Sequence, residues 1–153
     1  MKGAYRVFGY LIAAEVVIQA AAIALAVFGL GKWIEDGGTL TKSVMENDDT
    51  SINGVIGFAI HGINGTMIIP ILGLLFLIIS FFAKIEGGVK WALFVFLDVV
   101  LQWTLAFLAF LVAWQFGALH PVNAFVLAAL GFRAYTNAKT PAVSTTTPTG
   151  ATA

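Results

Sequence analysis

Residues Val55 to Ala83 read VIGFAIHGINGTMIIPILGLLFLIISFFA, 29 residues without an Asp, Glu, Lys or Arg. A helix needs only about 20 apolar residues to cross a bilayer, so this stretch reads as a membrane span. Three further runs are of the same kind: Val7 to Gly31, Val89 to Phe116 and Leu119 to Tyr135. None alternates with period two, and lipid admits only helices or closed barrels. The fold class is therefore all-α, an integral membrane four-helix bundle running up-down-up-down. The rest of the composition agrees, with 59% of 153 residues apolar and 10% charged, where a soluble domain carries about a quarter charged. Helices are expected over about 5–31, 54–84, 88–116 and 118–136, leaving no room for a separate soluble domain.

The first run is not a cleaved leader: it holds Glu15 and Gln19 and has no small-residue cleavage site before Lys32. Lys2, Arg6, Lys84, Lys90, Arg133 and Lys139 fall on one side of a four-span arrangement and only Lys32 and Lys42 on the other. The positive-inside rule then puts both termini in the cytoplasm and the Lys32 to Ile52 loop outside the cytoplasmic membrane. In that loop Glu46-Asn47-Asp48-Asp49 lacks the spacing of a calcium loop and reads as a solvated turn. The tail over 137–153, rich in Thr, Ala and Pro, is expected to be disordered. Trp91, Trp33 and Tyr5, near helix ends, read as interfacial anchors.

Comparing the chain with itself shows a repeat. Glu15-Val16-Val17-Ile18-Gln19 matches Asp98-Val99-Val100-Leu101-Gln102, and His61-Gly62-Ile63-Asn64-Gly65 matches His120-Pro121-Val122-Asn123-Ala124. The offsets are 83 and 59 residues, and the longer loop after the first span accounts for the difference. A duplicated helical hairpin follows, its two halves related by an axis along the membrane normal. The only two histidines then sit at one depth on the second and fourth helices, facing each other across the core.

A neutral imidazole is a good axial ligand for haem iron. The paired histidines thus suggest bis-histidine haem b, with His61 and His120 as metal ligands in a cytochrome b-like arrangement. Gly57, Gly65, Ala26 and Ala109 are read as a slot beside them, and Phe58, Phe107, Phe110 and Trp114 as its edges. Asn64 and Asn123 are read as groups fixing a ring tautomer or a propionate. With no cysteine there is no thiolate ligand or covalent haem, and two imidazoles are too few for a closed zinc site. Counting rise per residue brings Glu15, Asp98 and Arg133 together deeper in the bundle, as a buried clamp or, alternatively, a proton relay.

At its paired His-x-x-Asn motifs the chain resembles a small actinobacterial family of four-helix membrane proteins of unknown function, over roughly residues 5 to 135. Its layout is also similar to one half of a haem A synthase, whose haem-ligating histidines lie on the second and fourth helices. The resemblance implies that role for His61 and His120. A haem A synthase joins two such halves and has a catalytic glutamate near one histidine pair, a position that Glu15 and Asp98 lie too far inward to match.

The net charge of zero argues against nucleic acid as a partner, and nucleotide, hydrolase and metalloprotease motifs are absent. No catalytic residue is assigned. The expected functions are haem b in electron transfer or haem sensing, or a cofactor-free accessory subunit of a larger membrane transporter, envelope-synthesis or respiratory complex.

Overall fold

The computed structural model describes residues 1–46 and 51–138. The first span is one helix, α1 (Lys2–Glu35), and a short helix α2 (Lys42–Glu46) lies in the loop after it. The second span is α3 (Val55–Ile63), a π-helical turn (Asn64–Ile68) and α4 (Ile69–Ala83). The third is α5 (Gly88–Leu111), and a 3-10 turn (Trp114–Ala118) leads into α6 (Leu119–Asn137). No strand occurs among the described residues. All four spans are long and apolar enough to cross a membrane, so the chain is a multi-pass membrane protein. The tail expected to be disordered lies, from residue 139 on, outside the described residues, as do Asn47, Asp48 and Asp49.

Two boundaries differ from the sequence reading. The first helix extends four residues further at its loop end, where Lys32 bonds Glu35 and Asp36 one turn away. The third stops at Leu111 instead of 116, because the chain has to reverse before Pro121. Val112 and Ala113 both donate to the Leu108 carbonyl, and Ala113 is extended. Apolarity continues to Phe116, but it marks a lipid-side turn and not another helical turn.

Packing runs around the bundle: α1 against the second span and α6, and α5 against α4 and α6. The second span and α6 therefore occupy one diagonal, and α1 and α5 the other. Between lipid-facing helices there is little hydrophobic drive, so association depends on close contact and internal polar bonds. Gly9 and Gly131 supply one such contact, where a Cβ on Gly131 would sit 2.9 Å from the Gly9 carbonyl. The core of Tyr5, Ile12, Phe76, Val95 and Leu127 fills the end of the bundle that holds Lys2, Arg6, Lys84, Lys90 and Arg133, here termed the basic end.

Tyr5 is a correction to the interfacial reading. Its ring is fully buried against Phe76, at 4.7 Å, and its hydroxyl donates to the Gly88 carbonyl at 2.9 Å. That bond satisfies the one polar atom and frees the ring to pack in the core. The π-helical turn precedes Pro70, which has no N–H to continue an α-helical ladder. There the Ile69 N–H reaches back five residues to the Asn64 carbonyl, and the widened turn carries Asn64.

Candidate functional site

The repeated motifs meet as partners. Along a helix, acid and Gln four residues apart share a face, as do His and Asn three apart. When the two helices run antiparallel, Gln falls opposite His and the acid opposite Asn. In the first hairpin the Gln19 amide donates to the His61 carbonyl at 3.2 Å, and His61 Nδ1 lies 3.2 Å from the Gln19 carbonyl. One turn on, Asn64 donates to Glu15 Oε2 at 2.7 Å. In the second hairpin the Gln102 amide donates to the His120 carbonyl at 2.9 Å, and His120 Nδ1 lies 3.1 Å from the Gln102 carbonyl. Asn123 completes it, donating to Gln102 Oε1 at 2.8 Å and to Asp98 Oδ2 at 3.4 Å.

A carbonyl oxygen only accepts, so Nδ1 carries the hydrogen in both rings and Nε2 presents a lone pair. The tautomer is thus fixed by backbone carbonyls of Gln19 and Gln102. Asn64 and Asn123 do not touch the rings, and their assignment as groups fixing the tautomer is corrected: they bind the two acids. Gln19 and Gln102 close the first repeated motif in each half. Their spacing opposite the histidines is the signal that identifies them as imidazole partners.

The two latches differ by one methylene. Glu15 is long enough to take the Asn64 amide, and Gln19 Oε1 is left buried without a partner. Asp98 is shorter, so Asn123 turns to Gln102, and the second latch is closed and almost inaccessible, with Asp98 at 8% and Asn123 at 9% exposure. In this closed latch the Gln102 amide also lies 3.2 Å from His120 Nε2, which accepts from it.

Across the diagonal the rings of His61 and His120 come within 6.2 Å, centroid to centroid, with planes at 63°. They face each other at one depth. On the loop side of this layer α3 packs on α1, and α5 on the 3-10 turn. Phe110 and Trp114 point away from the bundle, at 89% and 79% exposure, and do not close a slot. Trp103 binds across to the second span, its indole N–H donating to the Gly65 carbonyl at 3.0 Å.

The small residues serve contact. A Cβ on Gly57 would overlap the Ala22 carbonyl and lie 2.7 Å from the Ala26 nitrogen, so Gly57 and Ala26 close on each other instead of leaving a slot. Gly65 lies against the Gln19 amide, and Ala109 against Gly117. Arg133 is also corrected. Exposed, it stacks over Trp91 at 5.3 Å, and among the described residues the ion pairs are those of Lys32 and Lys42. The Asn123–Asp98 bond fixes the depth of the acids, and Arg133 stands ten residues further along α6, about 15 Å away. Nor do three or more His, Asp or Glu side chains gather as a ligand cluster among the described residues.

No protein-family model, curated protein or solved structure matches the chain, so the reading of this site rests on its own geometry.

Proposed function

We propose that the protein binds haem b in the membrane, with His61 and His120 as axial ligands, and serves in electron transfer or haem sensing. The observation carrying this reading is the facing histidine pair. Two imidazoles that would hold one metal between them must face each other, and these rings lie 6.2 Å apart, centroid to centroid. Both carry hydrogen on Nδ1, which makes Nε2 the lone-pair nitrogen, and the carbonyls of Gln19 and Gln102 orient the rings. The nitrogen donors suit iron, and the porphyrin would have to part the close contact of Gly57 with Ala26. When bound, haem would supply a reversible one-electron couple. Ligation by His120 requires its Nε2 to give up the Gln102 amide.

The basic end carries Lys2, Arg6, Lys84, Lys90 and Arg133, which favours that end, with both termini, in the cytoplasm of a cell whose cytoplasmic membrane holds the protein. Single cysteines introduced at Thr41 and Thr136 into this cysteine-free chain test the orientation by labelling of intact cells, Thr41→Cys alone reacting.

A second reading, a cofactor-free accessory subunit of a larger membrane complex, is favoured by one observation: Gln102 satisfies both ring nitrogens of His120 without a metal. The visible spectrum of protein purified from haem-replete cells separates the two. Sharp α and β bands on reduction support haem b, and a colourless protein that takes up no added haem supports the docking role.

A further inference from the structure

We propose that Glu15 is a lipid-facing carboxyl open to apolar reagents dissolved in the bilayer, and that its repeat partner Asp98 is shielded from them. The two acids occupy equivalent places in the duplicated hairpin, but their surroundings have diverged. Glu15 lines a groove of about 440 Å³ on the outer seam between α1 and α3, open at its side. Ile18, Ile56, Ile60, Ile63 and Ile68 form its walls, all at least 40% exposed on the membrane-facing surface. Asn64, at the groove floor, donates to Oε2, and no described residue donates to Oε1. Asp98 by contrast is 8% exposed, beneath Asn123.

Charge balance points the same way. The second span offers Glu15 only the neutral amide of Asn64 and, a turn away, His61, whose Nδ1 is engaged by the Gln19 carbonyl. From α6 the charged group is Arg133, which stacks on Trp91, and α4 carries no ionisable side chain. Among the described residues no cation from a neighbouring helix pairs with Glu15. Oε1, in a groove walled by isoleucines, is where an apolar reagent reaches the carboxyl. This reading is independent of haem.

An apolar carbodiimide reads such a site directly. The acid adds across one C=N bond: its oxygen bonds the central carbon, its proton goes to nitrogen, and an oxygen-to-nitrogen acyl shift leaves a stable N-acylurea. Nothing departs and nothing is oxidised, so the step balances with the acid and the carbodiimide alone. Full-length protein in phosphatidylcholine vesicles would be treated with dicyclohexylcarbodiimide and cut at methionine; cleavage at Met45 and Met67 separates Glu15 from Asp98. The expected result is one adduct per chain, on Glu15, lost in Glu15→Gln, which keeps an acceptor for Asn64. A water-soluble cationic carbodiimide should modify Glu35, Asp36 and Glu46 and spare Glu15. The proposal is overturned by wild-type protein that gains no adduct at Glu15, by equal labelling of Asp98, or by labelling of Glu15 from water alone. Ile60→Trp, which narrows the groove mouth, should slow the labelling in a chain whose latch is intact, and an unchanged rate would place the reactive path elsewhere.

Discussion

Gln102 and His120 hold each other at both ends: imidazole Nδ1 donates to the Gln102 carbonyl at 3.1 Å, and the Gln102 amide donates to the His120 carbonyl at 2.9 Å. The closed ring of bonds ties α5 to the start of α6 and fixes the imidazole in one plane. In lipid, where no water competes, such polar pairs hold helices in register.

If the two imidazoles ligate haem, His61→Ala and His120→Ala should each abolish the low-spin spectrum while circular dichroism stays helical. One remaining ligand leaves iron at best five-coordinate. A low-spin spectrum that survives either change removes that histidine from the site.

The latches should differ in strength. Gln102 serves His120 and Asn123, whereas Gln19 Oε1 has no partner and its amide serves only His61. At about 1 kcal/mol per bond and more for a stranded buried group, Gln102→Leu should cost about 2–3 kcal/mol and Gln19→Leu about 1 or less. Unfolding in mixed micelles by a denaturing detergent measures both, and equal losses would refute the asymmetry.

Glycine substitutions test the close approach of α1 and α3. Gly57→Ala drives a Cβ into the backbone at Ala22 and Ala26, an overpacking of about 1–3 kcal/mol. Gly62 has nothing within 4 Å of its added Cβ, so Gly62→Ala should be neutral or stabilise by up to about 1 kcal/mol through helix propensity. The order of the two melting temperatures checks this.

Arg133→Leu should be mild. Loss of an exposed stack on Trp91 costs about 0.5–1 kcal/mol, against about 3–5 kcal/mol for breaking a buried pair. Adding Glu15→Gln and Asp98→Asn should therefore bring no recovery. A large drop for the single variant that the triple variant reverses would restore the buried clamp.

The spans, their alternating direction and the histidine pairing were legible because each leaves a local mark: long uncharged runs, and polar residues repeated at fixed spacing. Arg133 and Tyr5 were not. Rise per residue gives depth along one helix, but the offset between helices is set by contacts such as Gly9 with Gly131, which no spacing within one segment encodes. Similarly, Gly57 and Ala26 are equally suited to a slot or to backbone contact, and only the approach of α1 and α3 decides between them. The glutamines were visible in the repeat, yet their role depends on the antiparallel register that faces them toward His61 and His120.

Each latch closes inside its own hairpin: Glu15 and Gln19 with Asn64 and His61, then Asp98 and Gln102 with Asn123 and His120. During biosynthesis the first pair of helices can thus find its alignment before the second pair has entered the membrane. What remains for the union of the halves is shape matching, at Gly9 with Gly131 and at Gly73 with Val99, and the bonds of Tyr5 to Gly88 and Trp103 to Gly65. A chain divided in the turn between α4 and α5 would give two pieces that each carry a complete alignment key, and these co-expressed pieces should reassemble with both imidazoles already aimed at one another.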